Sequence, residues 1–297
     1  MNRSGGGNGS NGSRGRKPNS RTGPGQEGRP SGRGAGNFRK KHFSRGNAPI
    51  EKPLASTPKP GGAMRLNKYI SNAGVCSRRE ADTYISAGNV TVNGKVITEM
   101  GYQVLQGDEV RFDGRLLKAE KKEYILLNKP KNFITTTQDE KGRRTVMELI
   151  SGASRSRVSP VGRLDRNTTG LLLFTNDGDL AKKLTHPKHG VRKIYHVEVN
   201  QAIKPSDLQK IRDGITLEDG PVKVDDVSFI EGASKREVGI QIHSGRNRIV
   251  RRIFEHLGYE VVKLDRVVFA GLTKKDLPRG HWRPLTKQEI INLGMIQ

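Results

Sequence analysis

Gly162-Arg-Leu-Asp165-Arg-Asn-Thr-Thr-Gly170-Leu-Leu-Leu-Phe174-Thr-Asn-Asp-Gly178 is the stretch on which the reading of this chain turns. The apolar run 171–174 lies between a glycine and the turn signal Asn-Asp-Gly, the pattern of a short buried strand. Asp165, just ahead of it, therefore sits on a polar loop anchored in the core of a domain. Loops fixed by a scaffold often carry function, which makes Asp165 a candidate catalytic acid. A loop aspartate that caps a turn is the plain alternative, and this stretch alone does not separate the two.

Outward from the loop, residues 124–127 read as a buried strand ending at Asn128-Lys-Pro130, and the β-branched residues 133–137 as a strand close behind. Residues 193–199 alternate strictly, which suits a half-solvated antiparallel strand. A short helix at 205–211, a turn at Leu217-Glu-Asp-Gly220 and a strand at 238–242 follow. Residues 249–257 form a basic amphipathic helix stopped by Gly258, 259–264 return as a strand, and 287–293 close as a helix. Without a regular βαβ repeat, this order predicts an α+β domain over 123–297 with a mostly antiparallel sheet.

Residues 64–120 predict a smaller domain of two short helices on a hairpin-rich sheet. Leu66, Tyr69, Ile70 and Ala73 recur at helical spacing up to Gly74, and Ser77 with Glu80 forms a capping box for a second helix. Asn93-Gly94 is a hairpin turn. Residues 1–63 are of another kind: 15 of the 36 glycines, and 13 Lys/Arg against only Glu27 and Glu51, a net of +11. Such a segment cannot bury enough apolar surface to fold alone, and it reads as a disordered basic arm for phosphate attraction.

Lys and Arg number 54 against 30 acids, a net charge of +24, which points to a polyanionic partner. No apolar stretch is long enough to span a bilayer, and the N-terminus lacks a signal-peptide core. One cysteine, Cys76, leaves no intramolecular disulfide and fits a reducing, cytoplasmic setting, with the thiol as a small buried hydrophobe. His186-Pro-Lys-His189 lies in a loop bounded by Pro and Gly and reads as structural or RNA-contacting, not as a metal site.

Three segments together carry a family resemblance: Leu127-Asn-Lys-Pro130, the Gly162-Arg-Leu-Asp165 loop, and Ser244-Gly-Arg246-Asn-Arg248-Ile-Val-Arg251-Arg252. With Arg65-Leu-Asn-Lys-Tyr69, Ser77-Arg-Arg-Glu-Ala81 and Gly107-Asp-Glu-Val110, the chain from Met64 to about Leu285 resembles the rRNA pseudouridine synthases that carry an S4-like RNA-binding domain. It is most similar to the members acting on large-subunit (23S) rRNA, through His186-Pro187, Leu217-Glu-Asp-Gly220 and Leu277-Pro-Arg-Gly-His-Trp282. The resemblance implies Asp165 as the catalytic acid, Arg251 as its ion-pair partner, Tyr195 against the target base and Leu264 as an apolar floor. It implies Arg163 in the space the flipped base vacates, with a salt bridge as the alternative. Arg246 and Arg248 would meet phosphates, with Arg252 beside them, and Lys68, Arg78 and Arg79 would form one exposed RNA-docking face. The implied enzyme needs no cofactor or metal, acts as a monomer and has rRNA or an assembly intermediate as partner. Synthases acting on 16S rRNA, and a non-catalytic assembly factor on the same fold, remain alternatives. Asn132 stands where the family commonly has glycine, and Asn167 where an acid is common.

Overall fold

The computed structural model describes residues 62–296, so the arm expected over 1–63 lies almost wholly outside the described residues. The smaller domain runs β1 (Met64–Arg65), α1 (Leu66–Asn72), α2 (Arg78–Ser86), β2 (Val90–Val92), β3 (Lys95–Val96), β4 (Gln103–Val104), β5 (Val110–Phe112) and β6 (Arg115–Leu116). The Ser77–Glu80 capping box opens α2, and Gly74 takes a positive φ of 76° after α1. Asn93 and Gly94, at φ 51° and 79°, turn β2 into β3. Leu66, Ile70, Cys76, Ala81, Ile85, Val90 and Val110 meet in one core.

The larger domain contains β7 (Tyr124–Lys129), α3 (Val146–Leu149), β8 (Ser159–Pro160), β9 (Thr169–Thr175), α4 (Gly178–Thr185), β10 (Lys193–Val199) and α5 (Pro205–Asp213). Then come β11 (Ile215–Leu217), β12 (Gly220–Val222), β13 (Asp226–Phe229), β14 (Glu237–Ile242), α6 (Ile249–His256), β15 (Val261–Phe269), β16 (Leu272–Thr273), β17 (Trp282–Pro284) and α7 (Lys287–Gly294). A nine-stranded sheet has the path β13-β14-β10-β15-β9-β7-β17, with β16 on β15 and β8 on β9. Every pairing in it is antiparallel except β15 with β9. The fold is α+β with a mostly antiparallel mixed sheet.

Burial explains the two kinds of strand pattern. Leu172 and Phe174 of β9 face a core that also contains α5 and α6, whereas Leu171 and Leu173 face one with Leu180 and Leu184 of α4 and Leu293 of α7. Covered on both faces, β9 is continuously apolar. On β10 only Tyr195, Val197 and Val199 are buried, and His196 and Glu198 between them are half-exposed, so the strand alternates.

The strand expected at 133–137 does not form. Ile134 makes a single bridge to Thr145, and Thr135 and Thr136 turn their hydroxyls to the carbonyls of Leu164 and Gln138. Their β-branched shape fits a strand, but their hydroxyls are spent on shaping loops.

Candidate active site

The β9–β15 pair is joined over two positions only, Thr169–Asp265 and Gly170–Arg266. Gly170 has φ 109°, and a Cβ there would collide with the backbone of Arg266. This close contact sets the strand that follows the Asp165 loop directly against the strand that carries Leu264 and Arg266. Beside it lies a cavity of about 320 Å³ lined by residues that include Arg163, Asp165, Tyr195, Arg248 and Leu264. A second cavity, walled by residues 134–143, also reaches Arg163 and Asp165.

The loop is held by backbone contacts from the N-terminal side. Ile125, Leu127 and Lys129 share a face of β7, and Lys129, fully buried, directs its ammonium back to the main chain. Lys129 Nζ donates to the carbonyls of Pro130, Asp165, Arg166 and Thr168 at 2.9–3.3 Å. Burial pushes this lysine down to about 8, while Asp165 pulls it up and Arg279 presses it down. Asn132 adopts φ 71° and its N–H donates to Arg166 O at 2.9 Å. That left-handed conformation accounts for the usual glycine at this position, and asparagine tolerates it better than most residues. Thr135 Oγ1 both donates to Leu164 O and accepts from Leu164 N. Asp165 is thus fixed through its backbone, and its half-buried carboxylate has no hydrogen-bond or ion-pair partner among the described residues.

Tyr195 and Leu264 are both buried and both line the first cavity, on adjacent strands where Tyr195 lies opposite Arg266 and Val197 opposite Leu264. Arg163 is exposed at the mouth of both cavities and pairs with no described carboxylate, so the salt-bridge alternative is not realised. Arg246 and Arg248 also line the first cavity; they pair with Asp219 at 3.5 Å and Glu255 at 3.2 Å.

Three expectations are corrected. Arg251 and Asp165 form no ion pair within 4.0 Å: Arg251 Nη1 donates instead to Val261 O at 2.8 Å, and its Nε is buried without a partner among the described residues. Helix α6 buries its inner face, and with it Arg251, so the guanidinium reaches a β15 carbonyl first. Burial and then Arg248 lower the Arg251 pKa, while the Asp165 carboxylate raises it, so the two act on each other through the field and not by contact. Arg252 is not free for phosphate, since its fork is taken by Glu218 at 2.7 Å and Asp219 at 2.6 Å. Lys68 is half-buried in an ion pair with Asp179 at 2.6 Å, whereas Arg78 and Arg79 are exposed.

Known proteins resemble both domains. The S4 domain model matches residues 64–110, and the RNA pseudouridylate synthase model matches 123–256. The chain is 43% identical over 233 residues to the ribosomal large subunit pseudouridine synthase B of Bacillus subtilis, covering 77% of this chain and 95% of that protein. It belongs to the RNA pseudouridine synthase family. The dual-specificity RNA pseudouridine synthase RluF of Escherichia coli K12 is 38% identical, covering 79% of each chain. A crystal structure of a pseudouridylate synthase aligns with a TM-score of 0.55 at 30% identity, over 77% of this chain and 99% of that one. This pseudouridine synthase is therefore an isomerase built on an S4 domain and a synthase domain.

Sequence reasoning missed some of the residues that shape the site. Lys129 was visible only as part of a motif; the available signal was a lysine in register with Ile125 and Leu127 on an apolar strand. Lys193 and Arg266, both lining the cavity, gave no sign beyond strand alternation.

Proposed function

We propose that this synthase converts a specific uridine of ribosomal RNA to pseudouridine, with 23S rRNA as the favoured substrate and Asp165 as the group that meets the sugar. One observation carries the assignment: among the described residues, Asp165 is the only acid lining the 320 Å³ cavity, amid five basic side chains. Breaking the N-glycosidic bond develops positive charge on the ribose, which an adjacent carboxylate can stabilise or trap covalently. The base is then turned and rejoined through carbon. No redox change occurs and no activated donor is consumed, so the chemistry requires no cofactor.

The target must leave its stack to reach Asp165, at a cost of a few kcal/mol. Tyr195 stacks on the flipped base, Leu264 packs beneath it, and Arg163 fills the space left in the RNA. Arg246 and Arg248, exposed at the rim, meet phosphates, and Arg251 orients the Asp165 carboxylate through its charge. Arg78 and Arg79 of the S4 domain bind the flanking RNA, and the protein acts as a monomer. The large-subunit preference is supported by the similarity to the large-subunit synthase of Bacillus subtilis.

Single-turnover tritium release from C5-labelled rRNA transcripts tests the assignment. Asp165→Asn should fold and bind RNA as the wild type does but lose on the order of a thousandfold or more in rate. Activity within about tenfold of wild type would overturn it. Pseudouridine mapping of rRNA from a deletion strain identifies the subunit: a site missing from 16S instead of 23S rRNA would overturn the stated preference.

A further inference from the structure

Two cations of the 320 Å³ cavity have no part in the scheme above. Arg266 is 3% exposed and lies opposite Tyr195 on β15. Its Nε donates to Leu171 O at 2.8 Å, its guanidinium lies over the Phe269 ring at 4.5 Å, and its Nη2 is buried without a partner among the described residues. Lys193 is two residues before Tyr195 on β10, half-buried, with Nζ donating to His243 O at 2.8 Å and Ser244 O at 3.3 Å. Neither forms an ion pair with any described carboxylate. The rim cations Arg246 and Arg248, by contrast, both do.

Uncompensated charge in a cavity is costly, and apolar side chains would serve the packing better. The strain is visible in Lys193, which burial and then repulsion from Arg266 push down to about 8 against a weaker pull from Asp225. A phosphate would be met first by the exposed Arg163, Arg246 and Arg248. Lys193 and Arg266 lie deeper, on the strands that carry Tyr195 and Leu264, where the base itself is received.

We propose that Lys193 and Arg266 form an anion site for the uracil as it departs from C1′, an inference that rests on the role given to Asp165. When the C1′–N1 bond breaks, its electron pair goes to the base and leaves a uracil anion, delocalised over N1, O2 and O4. The positive charge left at C1′ is met by the Asp165 carboxylate. C5 then supplies the pair that forms the C5–C1′ bond, the C5 proton leaves to water and N1 takes one up, so atoms and charge balance. Preplaced cations act most on charge that develops during the reaction, and a neutral uracil gains less from them.

The experiment compares 23S and 16S rRNA transcripts made with UTP or with 5-fluoro-UTP, under single turnover at saturating enzyme, with rearranged nucleosides separated by chromatography after digestion, because pseudouridine has the mass of uridine. The fluorinated base has no C5 proton to lose, so its C5–C1′ product keeps the fluorine and takes up water at C6. Fluorine stabilises the departing anion, so the fluorinated base needs less help. Lys193→Gln and Arg266→Gln should each lose on the order of a hundredfold on uridine and about tenfold or less on 5-fluorouridine, with RNA affinity unchanged. Because each variant is compared with itself on two substrates, lost folding cancels from the ratio. Arg266→Lys, which keeps a charge in the cavity, should recover part of the uridine rate. Equal losses on both substrates, no loss, or a loss confined to RNA affinity would each overturn the anion site. Asp165→Asn, run on both transcripts, should be inactive on both; if it is active, the underlying assignment fails instead.

Discussion

Lys129 shows how one residue can govern a site it does not enter. Its ammonium serves four carbonyls around Asp165, so Lys129→Met leaves buried acceptors unpaired, each costing about 1–3 kcal/mol where water cannot replace the donor. We expect a lower urea midpoint together with a fall in kcat, because the loop that aims Asp165 loosens. Thr135→Val is the milder case: it removes the hydroxyl that joins Leu164 N and O, should cost about 1 kcal/mol, and should lower kcat more than it raises KM. The lysine also gives a pH signature. Its folded pKa of about 8 lies below the unfolded value, so the unfolded chain binds the extra proton between the two. The charged form therefore costs stability below pH 8, and that cost shrinks as pH rises toward about 10. Urea titrations should show wild type gaining on Lys129→Met over that range; a constant difference would contradict the buried-charge account.

Among the elements, the β9–β15 contact is the narrowest joint of the sheet. Gly170→Ala combines a φ of 109° with a Cβ that would strike the Arg266 backbone and the Asp265 carboxylate. A loss on the order of 3 kcal/mol or more is expected in thermal melts, with activity falling further because the strand behind Asp165 shifts. The same joint carries an acid-sensitive cluster. Burial alone would raise the Asp265 pKa, but hydrogen bonds from Arg279, Lys274 and Thr169 and the charge of Lys274 bring it down to about 2. A depressed carboxylate contributes stability above its unfolded pKa, and that contribution, about 2 kcal/mol, fades as pH falls from about 4 through 2. Asp265→Asn should flatten this part of the acid unfolding profile, and an unchanged profile would remove Asp265 as its source.

For the whole molecule, charge and placement have to be separated. The chain carries +24, yet Lys68 and Arg252 are committed to carboxylates, and the exposed Arg246 and Arg248 make longer contacts with Asp219 and Glu255 that a phosphate must displace. On the S4 domain Arg78 and Arg79 are exposed. Reversing both to Glu should raise the apparent KM for rRNA while the melting transition holds, whereas Lys68→Glu should first disturb its partnership with Asp179. If the double reversal leaves RNA binding intact at moderate salt, this docking face is wrong. Deleting residues 1–63 removes a net +11, so RNA affinity should fall and its salt dependence flatten, with the saturated rate nearly unchanged. A large loss of the saturated rate would mean that the segment contributes to the active site.

What the sequence determined by itself was local. Leu171-Leu-Leu-Phe174 announced a strand covered on both faces, Ser77 with Glu80 a helix start, Asn93-Gly94 a hairpin, and the family motifs an S4 domain followed by a synthase, because each of these is written in neighbouring residues. The 133–137 segment misled for the same reason: its β-branched threonines look like a strand until their hydroxyls find the carbonyls of Leu164 and Gln138. Tertiary structure alone decided which charges are free and which are taken. It matched Arg251 to Val261 O instead of Asp165, closed Arg252 onto Glu218 and Asp219, and left Lys193 and Arg266 without a counter-ion among the described residues. Ion pairs and buried donors join residues tens of positions apart, so their partners depend on how strands align, and that alignment is a property of the packed sheet and not of any short stretch of chain.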